Sequence, residues 1–117
     1  MNVKTIGIAG DHAGVELKNK IIQLLEKKGI KVTNYGTNST DSCDYPDYAH
    51  PLAQSVANKE NELGVLICGS GNGVNMVANK YAEIRSALSW TPEIAELGRL
   101  HNNANVVAIP ARFVSEE

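Results

Sequence analysis

Cys68 stands directly ahead of Gly69-Ser70-Gly71-Asn72-Gly73. Glycines let a backbone take positive φ and approach a ligand closely, so such a run can turn its N–H groups toward an anion. Where the run opens a helix, the first N–H groups lack helical partners and favour negative charge, a thiolate included. A base beside preorganised donors is what removing a proton next to a carbonyl requires. The base contributes roughly 10²–10⁴ in rate, and each oxyanion donor about 3–4 kcal/mol. The plain alternative is a small buried hydrophobe ahead of a glycine turn that serves only tight packing.

Two familiar glycine motifs fail on spacing. A dinucleotide fingerprint needs a third glycine one place later, and an acidic residue near the end of the next strand. Here that strand ends in Ser89-Trp90. A P-loop needs Lys-Ser/Thr after its last glycine, and Val74-Asn75 stand there. A general oxyanion cradle survives, and a nicotinamide-dependent oxidoreductase does not.

His12, in Gly10-Asp11-His12-Ala13-Gly14, and His101, in His101-Asn102-Asn103-Ala104-Asn105, are the other candidates for chemistry. Each has an ordinary reading as loop or turn chemistry. His50, ahead of Pro51, reads as a helix-start residue, and Cys43 in a polar loop as incidental. No pair among Cys68, Asp11 and the histidines has a recognised metal-ligand spacing, so a metal site is not expected.

The elements that must position these residues alternate in type. Residues 5–9, ending at Gly10, form a short apolar run that predicts a buried strand. Residues 15–28 have helical spacing, with Leu17, Ile21, Leu24 and Leu25 on one face and Lys18, Lys20, Gln23 and Lys27 largely off it. Gly29 supplies the stop. Residues 30–35 alternate as a second strand. A polar, turn-rich stretch ends at Pro46, and a helix is expected from Tyr48 or Pro51 to about Lys59. Residues 63–68 are the most apolar run and predict a central strand. A short helix is expected over 74–81 and strands over 85–89 and 105–109. Between those two strands Thr91 caps a helix with Pro92 at its first position. Strands alternating with helices imply an α/β fold with a parallel sheet covered on both faces. Ligands of such folds sit beyond the carboxyl ends of the strands, which is where Asp11, His12 and Cys68 fall.

Composition narrows the classes. The chain has 117 residues, the size of a single domain. A formal charge of -2 argues against a nucleic-acid binder held by a broad basic face. No run reaches the roughly 18 apolar residues of a membrane span, and the first ten residues lack a signal peptide's apolar core. Two cysteines make no disulfide framework, so a cytoplasmic protein with free thiols is expected.

Five ordered blocks resemble the ribose-5-phosphate isomerase B family, which includes galactose- and allose-6-phosphate isomerases. They are Gly10-Asp11-His12-Ala13-Gly14, Asp44-Tyr45-Pro46-Asp47-Tyr48-Ala49, Cys68 to Gly73 with Ala78-Asn79-Lys80, Ile84-Arg85, and His101-Asn102-Asn103-Ala104-Asn105-Val106. The resemblance implies a Rossmann-like three-layer fold with five parallel strands in the order 2-1-3-5-4. It implies an aldose–ketose isomerase of a phosphorylated sugar, ribose 5-phosphate first and a hexose 6-phosphate as the alternative, working without metal or cofactor. Cys68 would then be the base of a cis-enediol mechanism. Ser70 and the N–H groups of Gly69, Gly71, Asn72 and Gly73 would hold the enediolate oxygens. His101 would assist ring opening, and Asn102, Asp11 and Tyr45 would place hydroxyls. His12 and Arg112 match the phosphate end. The family forms dimers, some pairing into tetramers, with each site drawing on both protomers. Against the family pattern the chain is expected to be short at its carboxyl end. Arg112 is then the one arginine of that segment, phosphate binding is weakened and apolar surface is uncovered. A catalytically weak sugar-phosphate-binding or scaffold form is the corresponding alternative.

Overall fold

The strands at Thr5–Gly10 and Leu63–Cys68 form at short apolar runs, and the helices at Asn72–Ala78 and Pro92–Asn102 start at Gly71 and Thr91. The computed structural model describes residues 3–37 and 46–114. The strands are β1 (Thr5–Gly10), β2 (Lys31–Asn34), β3 (Leu63–Cys68), β4 (Ser86–Leu88) and β5 (Val106–Pro110). The helices are α1 (Val15–Lys27), α2 (Pro46–Ala57), α3 (Asn72–Ala78) and α4 (Pro92–Asn102), with a 3-10 turn at His12–Gly14 ahead of α1. All five strands pair in parallel in the order β2-β1-β3-β5-β4, as the resemblance implies.

Parallel neighbours require crossovers, and the usual right-handed sense puts α1 and α4 on one face and α2 and α3 on the other. Residues alternate accordingly along the strands. Ala9, Leu66, Cys68, Val106 and Ala108 join Ala49, Leu52, Ala53 and Val56 of α2 and Val74, Val77 and Ala78 of α3 in the main hydrophobic cluster. On the other face Ile8 and Ile67 are fully buried. Further along that face Ile6, Val65 and Val107 line an apolar groove of about 460 Å³ with Ala95 and Leu100 of α4.

Three local expectations are corrected. Helix α2 starts at Pro46, before the expected Tyr48, and carries Pro51 inside it. Proline suits the first helical position because its fixed φ is helical and no N–H is needed there. Helix α3 covers Asn72–Ala78, so the glycine run itself provides its first residues. In α1 it is Val15 and Lys18 that are buried, while Leu24 is 54% exposed. The lysine expected on the solvent side instead points under the sheet edge.

Candidate active site

The carboxyl ends of β1, β3 and β5 meet in one place. Register pairs Gly10 with Ile67 and Cys68 with Pro110, so Asp11 and Cys68 leave adjacent strands side by side. The Asp11 amide donates to the Ile67 carbonyl at 3.1 Å. Its carboxylate accepts the Ala13 amide at 3.0 Å and so caps the 3-10 turn that carries half-buried His12. Across β3, the Ala111 amide donates to the Cys68 carbonyl at 2.8 Å and the Arg112 amide to the Gly69 carbonyl at 3.0 Å. The chain leaving β5 is thereby stitched to the glycine loop.

That stitching brings the Arg112 side chain across Gly69. A Cβ on Gly69 would stand 3.2 Å from Arg112 Cδ and 3.4 Å from its Nη1. Gly71 caps α3 with φ +79, and a Cβ there would lie 2.6 Å from Leu88 Cδ1 and 3.2 Å from the Pro110 nitrogen. Both the backbone angle and the space therefore call for glycine. Gly71→Ala is expected to destabilise the protein by about 2–3 kcal/mol, from left-handed strain plus overpacking. A shifted denaturation midpoint with an unchanged m-value checks this.

Cys68 is 8% exposed and a free thiol, packed in the cluster that contains Ala9 and Val74. Asp11 beside it is 9% exposed. Ser70 Oγ accepts the Asn72 amide at 3.3 Å, which leaves its own proton to donate outward. Gly69 and Gly71 are buried, Gly73 is half-buried, and Asn72 and Arg112 are exposed. A nearly buried thiol, a carboxylate, a hydroxyl, a glycine cradle and one guanidinium thus share one edge of the sheet. Such a set can bind an anionic ligand and move a proton beside it.

His101 and Asn102 lie elsewhere. They end α4, which leads into the amino end of β5, and the Asn102 carbonyl accepts Arg85 Nη1 at 3.0 Å just ahead of β4. Cys68 pairs with the far end of β5, and four residues of strand separate the two levels, about 13 Å at the usual rise. Within one chain they do not join Cys68. Both are exposed. Tyr45 and Cys43 fall outside the described residues. His50 Nδ1 shares a 2.8 Å hydrogen bond with the Tyr81 hydroxyl. Among the described residues no three His, Cys, Asp or Glu side chains gather as a metal site requires.

Two features at this edge had no sequence signal as site residues. Trp90, after β4, and Phe113, after Arg112, are exposed and stack with ring centroids 5.1 Å apart. Beneath the edge, the buried Lys18 ammonium donates to Asn34 Oδ1 at 3.0 Å and to the Thr37 carbonyl, and burial pushes its pKa down. A lysine off the face of Leu17, Ile21, Leu24 and Leu25 reads as a solvated residue, so only packing reveals it.

Comparison with known proteins identifies the family. The Ribose/Galactose Isomerase family model matches residues 6–117. Ribose-5-phosphate isomerase B of Escherichia coli is 42% identical over 115 residues, covering 98% of this chain and 77% of the relative. The crystal structure of a ribose 5-phosphate isomerase from Thermotoga maritima superposes with a TM-score of 0.94 at 46% identity, covering 99% of this chain and 79% of that one. Ribose-5-phosphate isomerase B from Mycoplasma genitalium, solved with bound ribulose-5-phosphate, gives a TM-score of 0.91 at 43% identity, covering 96% and 75%. The family match, the identities and the superposition agree, and the chain belongs to the Ribose/Galactose Isomerase family.

Proposed function

We propose that the protein is an aldose–ketose isomerase that interconverts ribose 5-phosphate and ribulose 5-phosphate through a cis-enediolate with Cys68 as base. The observation that carries the reading is the convergence at one edge of Cys68, the glycine loop and Arg112 lying across Gly69. In the aldose-to-ketose direction the Cys68 thiolate takes the proton from C2. The C2–H electron pair forms the C1–C2 double bond, and the carbonyl electrons move onto O1. The Ser70 hydroxyl and the N–H groups of Gly69, Gly71, Asn72 and Gly73 hold the developing charge, and an oxyanion donor of this kind contributes about 3–4 kcal/mol. The O2–H proton passes to O1, the electrons left on O2 re-form the carbonyl at C2, and the C1–C2 electron pair takes the proton back from the thiol at C1, which restores the thiolate.

Asp11, Tyr45 and Asn102 place hydroxyls in this reading, and His12 and Arg112 take the phosphate. His101 assists ring opening. Because His101 and Asn102 leave the opposite end of the sheet, they serve the Cys68 edge of a second copy, and the working unit is a homodimer or a pair of dimers. A cytoplasmic setting goes with a substrate whose charge keeps it from crossing membranes.

The test is isomerisation of ribose 5-phosphate in deuterated water. Conversion with solvent deuterium appearing at the migrating position is the expected result. A kcat/KM on galactose or allose 6-phosphate exceeding that on ribose 5-phosphate by tenfold or so would move the assignment to a hexose phosphate. Absence of turnover on all of them would remove the isomerase reading.

A further inference from the structure

Lys18 is fully buried, although a lysine ammonium is expensive to take out of water. The side chain starts on α1 and ends beneath the turn that follows β2. There its ammonium donates to Asn34 Oδ1 at 3.0 Å and to the Thr37 carbonyl. The same Asn34 oxygen accepts the Gly36 amide at 2.9 Å, so one side chain links the ammonium to the backbone of the turn. The turn in its place grips the end of β1. The Gly10 amide donates to the Gly36 carbonyl at 2.7 Å, and the Thr37 amide donates to the Gly10 carbonyl at 2.6 Å. Gly10 is the residue from which Asp11 and His12 continue. On the opposite side the Asp11 amide is fixed to β3 through the Ile67 carbonyl. The edge that presents Asp11 and His12 is therefore held from both sides, and on one side the brace ends at Lys18.

An apolar residue of similar length would fill the same space without the cost of burying a charge. What it would lack is a donor for the Thr37 carbonyl and the Asn34 side chain. We propose that Lys18 is a positioning residue for the isomerase reaction: by holding Asn34 and Thr37 it clamps the turn after β2 against Gly10 and so sets where Asp11 and His12 meet the substrate. The inference rests on the isomerase reading above, and its test separates the two. Lysine reaches from helix to turn as a point donor with three protons, which suits two acceptors on different groups.

Lys18→Met keeps the length and apolar stem and removes the donor. The variant is expected to fold with parental circular dichroism and to raise KM for ribose 5-phosphate at least about tenfold, with kcat changed less than about threefold, because misplaced binding groups weaken a bound geometry without removing the base. Hydrogen exchange is expected to accelerate at the amides of residues 10–14 and 34–37 and to stay unchanged in α4. Unchanged KM with an active enzyme overturns the proposal, whether or not exchange accelerates. Should Lys18→Met fail to fold, Asn34→Ala carries the test through its exposed position. It is expected to raise KM by about threefold in the same sense, and no change overturns the proposal. If the parent turns over no sugar phosphate, the isomerase reading falls by itself. Exchange then decides the clamp: acceleration at 10–14 upholds it and parental protection overturns it.

Discussion

Replacing Cys68 by alanine is expected to lower kcat on ribose 5-phosphate by at least about 10²–10⁴, the contribution of a positioned base. The fold should tolerate the change. The cluster that holds it already contains alanines at positions 9, 78 and 108, and the loss amounts to one buried sulfur. A stability cost of about 1 kcal/mol is expected, well short of unfolding an ordinary domain. Cys68→Ser sharpens the test. It keeps a heteroatom in nearly the same place, but a hydroxyl is far harder to deprotonate than a thiol, so activity should stay low. The decisive measurement is exchange of the C2 proton with solvent, since it reads the proposed step without requiring net turnover. Parental exchange in either folded variant would assign Cys68 to packing alone, the role that its place among Ala9, Val74 and Ala108 also permits.

Mixing two inactive variants should restore activity. His101 sits at one end of the sheet and Cys68 at the other, so a site that uses both must take them from different copies. On the proposed mechanism Cys68→Ala alone lacks every base, and His101→Ala alone lacks every ring-opening group. After random exchange of subunits, half of the dimers are mixed, and each mixed dimer holds one site with both residues intact. Recovery of roughly a quarter of parental activity is expected from a symmetric two-fold assembly. The check is an assay after the two proteins are incubated together long enough for subunits to exchange, with each variant alone as control. No recovery despite demonstrated exchange would place His101 outside the reaction. Substantial activity in His101→Ala alone would do the same.

The local rules of the chain were readable where one physical signal dominates. Strand β3 falls at 63–68 as expected because its apolar run is long and bounded by polar residues and a glycine turn. Thr91 and Pro92 start α4 as expected, with the Thr91 hydroxyl accepting the Ile94 amide at 3.2 Å. Strand order came from the family resemblance, since periodicity alone does not say which strands are neighbours. The misreadings share a cause. Local spacing sets Lys18 outside because its partners, Asn34 and Thr37, lie 16 and 19 residues away and no local pattern announces them. Helical spacing turns both Leu24 and Leu25 inward, yet α1 covers only the edge of the sheet and leaves Leu24 half exposed. For the site, the cysteine and its glycines were legible as a contiguous motif. The approach of Arg112 to Gly69 was not, because it depends on the path of the chain after β5.

The stacked pair at the carboxyl edge gives the protein an optical property. Trp90 is the chain's one tryptophan, and it rests on Phe113, the residue immediately after Arg112. Emission near the tryptophan wavelength therefore originates from a single place, one residue removed from the guanidinium that lies over Gly69. Light absorbed by this molecule is reported from the rim of its proposed binding edge, with no label added and no second indole to dilute the signal.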